Sequence, residues 1–142
     1  MTVVIDADGL VLGRMCTHVA KRLMGGEEIV VVNAEKAIIS GNRVQLLQDY
    51  KHRRERGTRN HGPFFPRSAD MILKRTVRGM LEHKKPAGRA AYRRLTVYVG
   101  VPSEFKAEKT ETVEDAKKPQ LAKYMTLGAI SKELGSTREV RT

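Results

Sequence analysis

Four consecutive β-branched residues, Ile29-Val30-Val31-Val32, follow a Gly25-Gly26 break and run into Asn33-Ala34. Successive side chains of a strand point to opposite faces, so a strand made only of apolar residues needs cover on both sides. That requirement is met by a parallel sheet connected through helices. The residues before the run agree with it. Val3-Val4-Ile5 is a short apolar strand closed by Asp6-Ala7-Asp8-Gly9, after which Leu12, Met15, Cys16, Val19, Ala20, Leu23 and Met24 recur at helical spacing. Gly25-Gly26 stops that helix. Strand, helix, strand is the opening of an α/β unit.

Ala37-Ile38-Ile39 reads as a third short strand, ended by Ser40-Gly41-Asn42. Val44, Leu46, Leu47 and Tyr50 then support a helix whose apolar pattern gives out at Lys51-His52-Arg53-Arg54-Glu55-Arg56, which predicts a buried first half and a projecting cationic second half. Residues 57–67, rich in Gly and Pro and carrying Phe64-Phe65, read as a loop. Ser68 is a candidate N-cap with Asp70 in the first turn, and Ala69, Ile72, Leu73, Thr76, Val77 and Met80 form one helix face, with Lys74, Arg75 and Arg78 on the other. Residues 82–89 read as a basic loop leading to a short helix at 90–94, and Leu95-Thr96-Val97-Tyr98-Val99 as the last strand. The sum is a single three-layer α/β/α domain with a four-stranded parallel or mixed sheet over residues 1–100.

Residues 101–142 read as an extension. Within it, 106–118 holds eight charged residues of both signs in thirteen and no apolar period, which predicts a solvated linker or an arm that orders on a partner. Leu127, Ile130 and Leu134, with Thr126 as cap and Gly135 as stop, predict a short terminal helix with an apolar face that docks on something.

Charge narrows the function. The chain carries +11 over 142 residues, and its location is informative. Residues 1–40 hold four cations and five anions, residues 101–142 eight and seven, and residues 41–100 fifteen and four. Solvation does not require one sign to crowd into one stretch, whereas a polyanion-binding face does, because phosphates release condensed counterions to Lys and Arg. The longest apolar run is far below the roughly 18 residues of a membrane span, and Met1-Thr2-Val3-Val4-Ile5-Asp6 lacks the charged and apolar regions of a secretory leader. No membrane partner is expected. The single Cys16 permits no internal disulfide and fits a reducing, intracellular setting, and its helical position makes it a core thiol rather than a ligand.

Catalysis needs a constellation, and none assembles. The first strand-to-helix turn has only Gly9 and Gly13, and there is neither a dinucleotide fingerprint nor a phosphate loop. Asp6 and Asp8 flank a glycine turn, where Asp commonly bonds its own backbone. His18 lacks a second ligand one helical turn away, while His52, His61 and His83 sit among cations that oppose metal binding and suit phosphate contact. No cofactor, metal or small-molecule substrate is expected, and the chain reads as a non-enzyme.

Nucleic acid fits better. Between residues 51 and 94 lie fourteen cations, ten of them Arg, whose planar fork holds phosphates and stacks on bases. Aromatics make up 5% with no Trp, which disfavours a sheet-surface stacking platform and favours shape and backbone recognition of folded RNA. Helix-turn-helix and zinc-finger patterns are absent from the sequence.

Lys74-Arg75-Thr76-Val77-Arg78-Gly79-Met80-Leu81, then Gly88-Arg89 and Arg93-Arg94-Leu95-Thr96-Val97-Tyr98-Val99-Gly100, resemble the signature of the large-subunit ribosomal protein L-thirteen family. Leu12-Gly13-Arg14 and Val31-Val32-Asn33-Ala34-Glu35-Lys36 with Ser40-Gly41 are similar to that family in the same order, and Tyr124-Met125-Thr126-Leu127-Gly128-Ala129-Ile130 resembles its archaeal and eukaryotic branch. The chain's shortness favours the archaeal type. The resemblance implies an α/β/α fold, a place on the cytoplasmic ribosome, binding to large-subunit ribosomal RNA, support of assembly, contact with neighbouring ribosomal proteins, and no catalysis. It implies RNA-binding roles for Lys74, Arg75, Arg78, His83, Lys84, Lys85 and Arg89. Lys51, Arg53, Arg54, Arg56, Arg59 and Arg67 join on charge, and Arg14, Arg93 and Arg94 complete the expected set. Two other readings stay open at this point: a nucleotide-dependent α/β enzyme, and a basic messenger-RNA regulator acting off the ribosome.

Overall fold

The computed structural model describes residues 2–118 and 120–137. Strands β1 (Thr2–Asp6) and β2 (Glu28–Val32) lie side by side and parallel, Val4 beside Val30 and Ile5 beside Val31. The connection is helix α1 (Leu12–Met24), which buries Leu12, Met15, Cys16, Val19, Ala20 and Leu23 as its spacing requires. Ile5, Ile29 and Val31 point into that layer, while Val4, Val30 and Val32 point the other way. The apolar run of β2 is thus covered on both faces. Removing one such side chain, as in Leu23→Ala, would cost roughly 2–5 kcal/mol.

The next elements are β3 (Ile38–Ser40), α2 (Arg43–Glu55), α3 (Ala69–Met80), α4 (Pro86–Arg93) and β4 (Leu95–Val97). They are followed by β5 (Thr110–Glu111), β6 (Tyr124–Thr126) and α5 (Leu127–Glu133). The four-stranded sheet is parallel throughout, in the order β4-β2-β1-β5. Buried residues of α1, α3 and α5 and Ala91 of α4 share one core with Ile5, Ile29, Val31 and Leu95. On the opposite face Tyr98, Val101 and Phe105 cover the sheet, the last on a 3-10 turn at Ser103–Phe105. That second layer is a strap after β4, packed on Val4, Val30 and Val32.

Several expectations need correction. Ile38-Ile39 forms a strand outside the main sheet, where β3 pairs antiparallel with β6, Ile38 opposite Thr126 and Ser40 opposite Tyr124. The fourth strand of the main sheet comes from the charged 106–118 stretch: β5 lies beside β1, with Val4 opposite Thr110. Only backbone pairing is needed there, and Arg22 clamps the strand from outside by donating to Glu111 at 2.8 Å. The same stretch buries Ala116, whose carbonyl accepts from the Val11 N–H at 2.9 Å, so it is part of the fold and not a free linker.

α2 is more exposed than its pattern suggests: Val44 is 63% exposed, Leu46 and Leu47 are half-buried, and Tyr50 is its one buried residue. Asn42 caps it, accepting from the Val44 N–H at 3.1 Å. α3 begins after Ser68, yet the Ser68 hydroxyl makes no capping bond. α4 begins at Pro86 rather than residue 90, since proline suits a first helical position, and Arg89 is therefore helical. Gly88 is needed where it stands, because a Cβ would overlap the Glu82 carbonyl. Thr126 caps α5 as expected, accepting from the Ala129 N–H at 3.3 Å, and Leu127, Ile130 and Leu134 enter the main core.

Candidate nucleic-acid interface

The second half of α2 projects Lys51, His52 and Arg53 into solvent, and Arg56 caps its end with Nη2 3.4 Å from His52 Nε2. What orders these groups is aromatic. Tyr50 is buried beneath them and meets Phe65 edge-on, with centroids 6.0 Å apart. Burial pushes the Tyr50 phenol up, with the Arg53 charge acting in the opposite direction. The Arg53 guanidinium lies 4.9 Å from the Tyr50 ring and 5.8 Å from the Phe65 ring, and Arg75, arriving from α3, lies 5.9 Å from the same Phe65. Arg54 donates Nη1 to the Phe65 carbonyl at 3.1 Å, and Arg75 donates Nη1 to the Phe64 carbonyl at 3.5 Å. Phe65 thereby joins cations of two helices, each ring contact contributing about 0.5–1 kcal/mol at an exposed site.

Arg59 is exposed in the loop, and Arg67 is exposed beside the start of α3, where it lines a cleft with Arg54, Phe65, Ser68 and Met71. Along α3, Lys74, Arg75 and Arg78 are half-buried and share one side. Lys74 Nζ lies 5.1 Å over the Tyr92 ring, which ties α3 to α4. His83 is half-buried in the turn between them, Lys84, Arg89 and Arg93 are exposed, and Lys85 pairs with Glu82 at 3.1 Å.

Two residues of the expected set stand apart. Arg94 turns inward and donates Nη2 to the Leu23 carbonyl at 2.6 Å, closing the last turn of α1. Its partner is a helix C-terminal carbonyl, where a cation is favoured. Arg14 lies on α1 and reaches the Asp115 carbonyl at 3.5 Å, next to His18, which is 3.6 Å from Asp115.

Among the described residues, Lys85 is the one cation of positions 51–94 with a carboxylate at ion-pair distance. The face therefore carries charge that the fold does not neutralise. The sequence pattern missed the aromatic anchors Tyr50, Phe65 and Tyr92. Tyr50 stands one helical turn before Arg53 and was legible on that spacing, whereas Tyr92 meets Lys74 only through the packing of two helices.

The nucleotide-enzyme reading loses its site. Asp6 Oδ1 accepts from the Asp8 N–H at 3.0 Å and from Asn33 Nδ2 at 2.9 Å, which is the turn role expected of it. At the start of α1, where a nucleotide phosphate would sit in such a fold, the Val11 N–H is already taken by the Ala116 carbonyl, and the adjoining turn Glu114–Ala116 brings two carboxylates that oppose an anion. Among the described residues no cluster of His, Cys, Asp and Glu could hold a metal, and no helix is long and apolar enough to cross a membrane.

Comparison with known proteins adds to this geometry. The profile of the family described as Ribosomal protein L13 matches residues 1–104. The chain is 54% identical over 136 residues to the Large ribosomal subunit protein uL13 of Methanosarcina barkeri, covering 94% of this chain and 97% of that one. It is 50% identical over 135 residues to the protein of the same name from Methanococcoides burtonii, covering 94% and 97%. With that of Methanocaldococcus jannaschii it shares 47% over 139 residues, again covering 94% and 97%.

Proposed function

The chain belongs to the ribosomal protein L13 family, and from that premise we propose that it is a structural component of the large ribosomal subunit that binds large-subunit ribosomal RNA and supports subunit assembly. It is not an enzyme; relatives that match it over nearly their whole length are named as ribosomal proteins. Its place is the ribosome in the cytoplasm.

The reading rests on the group of cations assembled about Phe65. Arg53, Arg54 and Arg75 are ordered by rings and backbone carbonyls, and among the described residues no carboxylate lies at ion-pair distance from them. Side chains ordered beforehand lose less freedom on binding, so more of the contact with phosphate appears as affinity. Lys51, Arg56, Arg59 and Arg67 extend that group along α2 and the loop, and Lys74, Arg78, His83, Lys84, Lys85, Arg89 and Arg93 extend it along α3 and α4. Arg94 serves the fold, and Arg14, exposed on α1, stands apart from this group. Exposed Val44 and Tyr124 offer apolar contact to neighbouring ribosomal proteins.

The test is binding of the purified protein to large-subunit RNA across a salt series. The logarithm of affinity should fall linearly with the logarithm of salt, at roughly 0.7–0.9 per phosphate contact, and the protein should sediment with the large subunit in moderate salt. A flat salt dependence, or sedimentation free of subunits, would overturn the assignment.

A further inference from the structure

Phe64 breaks the pattern of its surroundings. Its neighbour Phe65 is packed against Tyr50, whereas Phe64 is 61% exposed on a face of cations. A phenyl ring left in water on such a face has no role in the core. Nor is it on a loose loop. Gly62 has φ +71°, and a Cβ built there would stand 3.0 Å from Cδ2 and Cε2 of Phe64, so the ring rests against a bare backbone position. The Gly62 N–H donates to the Thr58 carbonyl at 3.0 Å, and a Cβ on Gly57 would overlap the Gly62 carbonyl, so the turn beneath the ring is tightly closed. Behind it, the Phe64 carbonyl accepts from Arg75.

An exposed ring, fixed by its packing on Gly62 and one residue from the Phe65 that gathers Arg53 and Arg75, has the composition of a stacking site for nucleobases: an apolar π-face for the base and cations nearby for the flanking phosphates. A protein partner would need carboxylates to match Arg53, Arg59 and Arg75, whereas RNA supplies anion and ring together. Resting on the reading that this face binds RNA, we propose that Phe64 stacks on an unpaired base, so that the face selects RNA in which a bulge or loop presents a base beside backbone phosphates. A continuous duplex, whose bases are already stacked, offers Phe64 nothing.

The experiment uses the full chain and two RNA hairpins that differ by one unpaired 2-aminopurine in the stem. The wild-type protein should bind the bulged hairpin roughly ten-fold more tightly than the continuous one at the same salt, and should quench the 2-aminopurine fluorescence. Phe64→Ala should abolish that preference and the quenching while leaving affinity for the continuous hairpin within about two-fold; Phe64→Trp should retain both, and Phe64→Leu, apolar without a ring, should lose them. Equal wild-type affinity for the two hairpins, or a preference that survives Phe64→Ala, overturns the proposal. So does a Phe64→Ala protein with unaltered RNA binding that no longer joins the subunit, which would make the ring a protein contact. Failure of the underlying reading looks different: the wild-type protein would bind neither hairpin.

Discussion

Where α1 meets β5 and the Glu114–Ala116 turn, cations and carboxylates answer each other. Arg22 holds Glu27 at 2.7 Å and Glu111 at 2.8 Å, His18 lies 3.6 Å from Asp115, and Lys117 reaches Glu114 at 2.9 Å. Along α2 and α3, Arg53, Arg54, Lys74 and Arg75 instead rest on Tyr50, Phe65 and Tyr92 and on backbone carbonyls. The difference separates two uses of the same residue types. A guanidinium paired with a carboxylate spends its field inside the molecule. One held by a ring or a carbonyl is equally well positioned and still presents its full charge to a phosphate.

The comparison is broken first by changing the interior and leaving both charged sides alone. Burial pushes the Cys16 thiol from 9.0 up to about 12. A native thiol with a raised pKa keeps its proton after the unfolded thiol has lost it, so this contribution is intact at neutral pH and is lost as pH climbs from 9.0 toward about 12. The loss is on the order of 4 kcal/mol across that range. Denaturant titrations at stepped pH should show it, and Cys16→Ala should remove that part of the slope.

Arg94 sharpens the comparison, because it lies in the basic stretch but serves the fold. Arg94→Ala removes the charged one of two donors to the Leu23 carbonyl, which keeps the Gly26 N–H at 3.1 Å, and should cost about 1–2 kcal/mol, read as a lower denaturant midpoint, with RNA affinity unchanged under conditions where the protein is folded. Phe65→Ala probes the opposite side. It removes no charge, yet it releases Arg53 and Arg75, so affinity for large-subunit RNA should fall about five-fold, roughly 1 kcal/mol, with the salt slope unchanged. A changed slope would mean that the ring itself alters the number of phosphate contacts. The smallest effect belongs to Arg22→Ala on the paired side. Its hydrogen bonds to Glu27 and Glu111 hold its pKa up, but it is partly exposed, and stability should fall by only about 1 kcal/mol or less with RNA binding untouched.

The sequence disclosed the frame because burial leaves a periodic trace. Ile29 to Val32 demanded cover on both faces, and the spacing of α1 and α3 named their core residues. Elements held by backbone bonds or single contacts left no such trace. β5 is two residues long in a charged run and is held by pairing with β1 and by Arg22, which no periodicity encodes. β3 was recognisable as a strand, but its partner β6 lies more than eighty residues away, and short apolar segments do not announce which edge they join. The basic face was legible as a sum of charge. The division of labour within it was not, since Arg93 and Arg94 look alike in sequence and only the nearness of Leu23 turns one of them inward.

The central claim is that the unneutralised cations of α3, held in line with those of α2, are what contact RNA. The most direct measurement is the salt dependence of binding to large-subunit RNA by the wild-type chain and by the Arg75→Glu, Arg78→Glu double variant. Affinity should drop on the order of a hundredfold and the slope should become shallower by about two phosphate contacts, while stability should fall by only about 1 kcal/mol, because neither residue is paired to a carboxylate among the described residues and Arg75 gives up only its contact with the Phe65 ring and its bond to the Phe64 carbonyl. Equal affinity and equal slope in the folded variant would contradict the account.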